Sequence, residues 1–115
     1  LLEALAAVRD LREEFWRDLK VVGGPERLNQ ELEKAGRVAD FIELGEIMIL
    51  DALDRRESAG AHFRREYATA EGEAKRNDDE WCSVSAWETT PEGSHIRHSE
   101  PLSFSLIDLQ VRDYR

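Results

Sequence analysis

Cysteine is nearly absent: Cys82 is the single thiol in 115 residues. One thiol closes no internal disulfide and supplies no thiolate metal cluster, so a reducing, cytoplasmic setting is expected. Basic charge is also scarce, with 16 Lys and Arg against 25 Asp and Glu and a net charge of -9. Nucleic-acid binding needs a basic patch to neutralise phosphates, and none stands out here. No apolar run approaches the roughly 20 residues of a membrane span, and no signal peptide opens the chain, so direct membrane insertion is not expected. A Gly-x-Gly-x-x-Gly fingerprint is missing too, which leaves no dinucleotide phosphate cradle.

What is present reads as one domain, or a piece of one. Hydrophobic residues make up 41% and charged residues 36%, too apolar for a disordered chain. Leu1-Leu2-Glu3-Ala4-Leu5 already has the pattern of a helix interior, with no cap before it, as in a chain cut from something longer. Leu1, Leu5, Val8, Leu11, Phe15 and Leu19 recur at three- and four-residue steps, which predicts a helix over residues 1 to about 20. Gly23-Gly24-Pro25 ends it and predicts a second helix from about Pro25 to Arg56.

That second helix carries more apolar surface than one neighbour can cover. Leu28, Leu32, Ala35, Ala39, Ile42, Ile49 and Leu53 form one stripe, and Val38, Phe41, Leu44 and Met48 form another on a different side. The second stripe predicts a partner, and Gly36 and Gly45 suggest a closely approaching neighbour. Residues 57–80 read as an irregular polar connection. Trp81 to Trp87, with Cys82, Val84 and Ala86 alternating against Ser83 and Ser85, reads as a strand; Thr90-Pro91-Glu92-Gly93-Ser94 turns it, and His95 to His98 returns. Phe104 to Val111 is a further extended candidate.

The segment Glu57-Ser58-Ala59-Gly60-Ala61-His62-Phe63-Arg64-Arg65-Glu66-Tyr67, followed by Asp78-Asp79-Glu80-Trp81, carries a resemblance. It is similar to the signature after the long helix in flavoprotein subunits of succinate dehydrogenase and fumarate reductase, Glu-Ser-Arg-Gly-Ala-His-x-Arg-x-Asp-Tyr. Asn29-Gln30-Glu31-Leu32 and Ala52-Leu53-Asp54-Arg55 fit the same pattern upstream. Ala59 stands where the family has arginine, and Glu66 where it has aspartate, so no role of that arginine passes to this chain.

The resemblance implies a parent protein that interconverts succinate and fumarate through FAD and passes electrons to an iron–sulfur subunit and quinone. It implies a place at the inner face of the membrane, held there through partner subunits. The flavin-holding and dicarboxylate-binding residues of the family precede this domain, so the fragment itself is expected to hold no catalytic residue, cofactor or metal. Glu57, Ser58, His62, Arg64, Glu66 and Tyr67 are read as an inter-domain or structural motif. A zinc site from Cys82, His95 and His98 has too few ligands, and a Cys82 nucleophile has no base at a supporting spacing.

The expected fold is mainly α. Antiparallel helices of an incomplete, spectrin-repeat-like up-and-down bundle occupy 1–56, a connecting loop with the signature occupies 57–80, and an extended β-hairpin tail occupies 81–115. The expected partners are the FAD-binding domain of the same chain and the iron–sulfur subunit. A homodimer induced by truncation is a further expectation, covering the second stripe. Rival readings are the C-terminal domain of L-aspartate oxidase, with its related Glu-Ser-Arg-Gly-x-His segment, and a free-standing helical interaction module.

Overall fold

The structure is a computed structural model that describes residues 1–110. Its elements run in the order helix α1 (Leu2–Asp18), helix α2 (Gln30–Asp54), a 3-10 turn (Arg65–Tyr67), helix α3 (Asp78–Trp81), and strands β1 (Ser83–Thr89) and β2 (His95–Pro101). This is a mainly helical fragment followed by a small antiparallel hairpin. The chain divides into two units, the first ending at Asp54 and the second starting at Arg55.

In the first unit, α1 and α2 run in opposite directions, pairing Arg9 and Arg12 with Glu46 at one level and Val22 with Asn29 at another. The second helix starts five residues later than proline and glycine placement predicted, because Asn29 caps it. Its Oδ1 accepts the N–H groups of Glu31 at 3.1 Å and Leu32 at 3.2 Å, and its Nδ2 donates to the Val22 carbonyl at 3.2 Å. Two of the helix's orphan amides are thereby satisfied. Gly23, at φ 107°, is needed for this turn, since a Cβ there would sit 2.7 Å from Asn29 Nδ2.

Ile42 is the one buried apolar side chain of this unit among the described residues, and α1 buries none. Ala35, Ala39, Ile49 and Leu53 of the first stripe are half-buried, as are Leu5, Val8 and Phe15 of α1. Leu28 and Leu32 stay exposed, and Leu28 does so because it precedes the helix, where helical periodicity no longer places it. The second stripe is exposed throughout: Val38, Phe41, Leu44 and Met48 find no cover in α1. The two helical glycines are not explained by close approach within this chain. A Cβ at Gly36 would meet nothing within 4 Å, and one at Gly45 would meet only Val8 Cγ2 at an ordinary 3.9 Å.

The interior of this helix pair is fastened by charge. Glu46, 2% exposed, accepts from Arg9 Nε at 2.7 Å and from Arg12 Nη1. Both arginine side chains remain partly in water, 49% exposed for Arg9 and 36% for Arg12. Glu46→Ala is expected to destabilise the chain by about 2 kcal/mol, below the roughly 3–5 kcal/mol of a fully buried pair because the arginines remain partly solvated. Urea denaturation followed by helical circular dichroism measures it. Glu46→Leu, which fills the space with apolar volume, is expected to lose less.

In the second unit the hairpin pairs Ser83 with Pro101 through to Thr89 with His95. Its turn is closed by Gly93 N–H to the Thr90 carbonyl at 2.9 Å, with Gly93 at φ 79°. Trp81 does not belong to the strand; it ends α3. The sidedness of β1 also differs from the apolar alternation, since Val84 and Ala86 are exposed whereas Ser83, Ser85 and Trp87 are partly covered. The reason is Trp81, buried against the face that carries Arg97, whose guanidinium lies 4.8 Å from the indole centroid and donates to Ser85 Oγ at 3.3 Å. Small serines leave room for the aromatic ring. Residues 102–110 form no strand, and Val111 lies outside the described residues.

Candidate structural site around Glu57 and Ser58

The residues at the head of the signature are among the most deeply buried described: Glu57 is 2% exposed and Ser58 0%. A carboxylate taken out of water must be met by donors, or the burial is strongly unfavourable. Glu57 Oε1 accepts from Arg55 Nε and Nη2, each at 2.8 Å, and Oε2 accepts the Asn77 N–H at 2.9 Å. Ser58 uses both faculties of its hydroxyl, donating to the Arg64 carbonyl at 3.1 Å and accepting the Arg64 N–H at 2.9 Å. Its own N–H donates to the Lys75 carbonyl at 2.9 Å. Two side chains thus join residues 55–58, the stretch around Arg64 and the stretch 75–77.

Between Ser58 and Arg64 the chain makes a two-residue reversal. Ala59 and His62 exchange both backbone hydrogen bonds, at 2.9 and 3.1 Å, and Gly60 at φ 58° supplies the positive dihedral that the first central position of such a turn uses. His62 Nε2 lies 3.3 Å from the Arg55 carbonyl, so it carries the proton and donates. Arg64 Nη1 donates to the same carbonyl at 3.2 Å. Arg64 also pairs with Glu66, Nε to Oε1 at 2.8 Å and Nη2 to Oε1 at 2.5 Å, and its guanidinium lies 5.1 Å from the Tyr67 ring centroid. The six residues singled out from the sequence therefore fall in one neighbourhood. His62, Arg64, Glu66 and Tyr67 follow Glu57 and Ser58 around one continuous hydrogen-bonded turn.

Residues 57–80 are accordingly more ordered than an irregular connection. Tyr67 and Thr69 pair with Lys75 and Glu73 through their backbones, and Ala68 bridges Ala74. Arg55, the last residue of the upstream match, and two residues that periodicity and motif reading did not single out, Asn77 and Arg97, complete the arrangement. Arg55 donates through Nη2 to the Trp81 carbonyl at 3.1 Å and its guanidinium lies 5.8 Å from the ring centroid, a contact of the same kind as that of Arg97. Asn77, which offers its backbone to Glu57, sits just before the Asp78-Asp79-Glu80 run whose helix delivers Trp81. That acidic run was the available signal for Asn77; Arg97 had none.

Chemically the groups are committed to one another. Both oxygens of Glu57 and both functions of the Ser58 hydroxyl are taken, and neither group faces solvent. Beside them a cavity of about 170 Å³ is lined by Arg55, Ala59, Arg76, Trp81, Cys82 and Phe104, among others. Arg76 there is tied to Asp78 Oδ1 at 2.6 Å and to the Gln110 carbonyl at 3.1 Å. Among the described residues no three His, Cys, Asp or Glu side chains gather as a metal-binding group. His95 and His98 lie three apart on a strand and so on opposite faces; they contact Thr89 and Glu88, and Cys82 is not with them.

Two measurements address this arrangement. Ser58→Ala leaves the Arg64 N–H and carbonyl without their buried partner, and is expected to cost about 1–3 kcal/mol in urea denaturation. Glu66 titrates below the usual carboxylate range, held there by a backbone hydrogen bond at its own position and then by the Arg64 guanidinium. A depressed carboxyl contributes stability above its unfolded pKa of about 4.3 and loses it as pH falls through the folded value. The stability difference between wild type and Glu66→Gln is therefore expected to be full at neutral pH and to close in acid, as read from denaturation midpoints across that range.

The comparisons with known proteins take in nearly all of these residues. A family model described as the C-terminal part of the fumarate reductase flavoprotein matches residues 1–114. The succinate dehydrogenase flavoprotein subunit of Bacillus subtilis (strain 168) is 27% identical over 115 residues, covering 99% of this chain and 18% of the relative's own length. The chain thus spans less than a fifth of that relative, and across nearly all of its residues it belongs to the fumarate reductase flavoprotein C-terminal family.

Proposed function

We propose that this chain is the C-terminal domain of a flavoprotein that interconverts succinate and fumarate through FAD, passing electrons to an iron–sulfur subunit and on to quinone. The observation that carries the reading is the family match over residues 1–114, which takes in the buried Glu57-Ser58 arrangement. The named relative is a succinate dehydrogenase flavoprotein subunit, which favours the dehydrogenase branch over L-aspartate oxidase and over a free-standing helical module.

The residues described here do not fit an FAD site. The amides at the start of α2, where a phosphate would be received, are already capped by Asn29, and the Gly23-Gly24-Pro25 turn before them lacks the Gly-x-Gly-x-x-Gly pattern of a phosphate cradle. In the proposed protein FAD is held by the remainder of the polypeptide. This domain then has a packing role: α1 and α2 form part of a spectrin-repeat-like bundle against the FAD-binding domain. Glu57, Ser58, His62, Arg64, Glu66 and Tyr67 fasten the turn that follows the long helix. The large apolar side chains left open on both units are what such packing requires. Among the described residues no helix is long and apolar enough to cross a membrane, and the proposed place at its inner face is through partner subunits.

The test uses two proteins. The complete flavoprotein, assayed with an artificial electron acceptor, is expected to oxidise succinate and to carry stoichiometric flavin. The 115-residue chain alone is expected to do neither. Flavin absorbance in the isolated chain would overturn the assignment of the cofactor to the remainder; turnover of aspartate in place of succinate by the complete protein would overturn the dehydrogenase reading.

A further inference from the structure

Beyond the hairpin, residues 102–110 are fastened to the second unit at their two ends only. Leu102 N–H donates to the Cys82 carbonyl at 2.9 Å, one step past the last strand pair, Ser83 with Pro101. The Gln110 carbonyl accepts from Arg76 Nη1 at 3.1 Å. Among the described residues, 103–109 make no hydrogen bond. A segment with so few bonds opens locally at little cost. Its apolar contacts are uneven: Phe104 and Leu109 line the cavity of about 170 Å³ that Trp81 and Cys82 also line, whereas Leu106 is off it and 94% exposed. Arg76 is aimed by Asp78. Its Nε and Nη2 donate to Asp78 Oδ1 at 2.9 and 2.6 Å, which leaves Nη1 for the Gln110 carbonyl.

The closed arrangement also carries an unmet donor. Trp81 is buried, and its Nε1 finds no acceptor in the protein. A buried donor without an acceptor opposes closure, and access of water relieves it. Closure is thus favoured by two half-exposed apolar side chains and one guanidinium, and opposed by the indole N–H. We propose that residues 102–110 are a strap that opens and closes over the cavity beside Trp81, with Arg76 as its clasp and Asp78 as the residue that positions the clasp. Opening uncovers a wall that includes Ala59, Trp81 and Cys82. The hairpin and the Glu57-Ser58 turn stay in place, because their hydrogen bonds do not involve 103–109. The device lies within the second unit and does not rest on the flavoprotein reading.

Cys82 supplies the probe, as the single thiol of the chain on the wall of that cavity. Its alkylation by iodoacetamide in native buffer, followed by mass spectrometry, measures how often the strap is open. Arg76→Gln is expected to speed labelling about fivefold through loss of the clasp. Arg76→Lys is expected to act nearly as strongly, because lysine keeps a charge beside Asp78 without a second arm for the Gln110 carbonyl. Phe104→Ala, which strips the strap of its largest contact, is expected to speed labelling about tenfold. Leu106→Ala, off the cavity, and Arg65→Gln, at an exposed arginine outside the clasp, are expected to leave the rate unchanged. Circular dichroism confirms that each variant is folded. A wild-type thiol that reacts as fast as in the urea-unfolded chain overturns the closed form. Wild-type rates in both Arg76 variants overturn the clasp, and acceleration by Leu106→Ala equal to that by Phe104→Ala overturns the strap.

Discussion

Burying the carboxylate of Glu57 sets the terms for everything after the long helix. An anion withdrawn from water must be met by donors from nearby in space, and the chain supplies them from Arg55 and from the backbone of Asn77. Bringing Asn77 to Glu57 closes a stretch of twenty intervening bonds along the sequence, and that closure delivers α3 and its tryptophan to the position where Arg55 and Arg97 receive the ring. Ser58 then secures the return of the chain at Arg64. The second unit is organised by polar groups that must be satisfied, with one aromatic ring as its apolar centre.

The helix pair follows the same economy of apolar material. Ile42 alone is buried among its large aliphatic side chains, and the two helices meet over a carboxylate held by two arginines. Small domains enclose little of their surface in any case, and this pair leaves a whole face of its longer helix open. A relative gives that openness a context: it is more than five times as long, since this chain covers 18% of it.

Much of this was legible in the sequence, and the departures have local causes. The period of α1 and α2 announced two helices, and the excess of apolar arc on α2 correctly marked a face that α1 does not cover. The start of α2 was misplaced because Pro25 is a good first helical residue, but an asparagine that can bond two amides is a stronger determinant of where a helix begins. The hairpin and its turn were readable from Thr90 to Ser94, yet the side on which it is covered was not. Alternation of Val84 and Ala86 with serines points one way; a tryptophan outside the strand, flanked by two arginines, decides the other, and that contact is invisible to a period-two pattern. The signature and Arg55 were recognised as a motif, whereas Asn77 and Arg97 are joined to them only by folding.

The carbonyl of Arg55 receives both the His62 imidazole and the Arg64 guanidinium. That acceptor is a backbone atom, present whatever side chain stands at the position, whereas its two donors are side chains that a single base change can remove. Genetic variation therefore acts on these two hydrogen bonds from the donor end only. Substitution at residue 55 would register through the loss of its side-chain contacts to Glu57 and Trp81, and substitution at residue 62 or 64 through the loss of a donor to the Arg55 carbonyl, so the two kinds of change break different bonds at one junction.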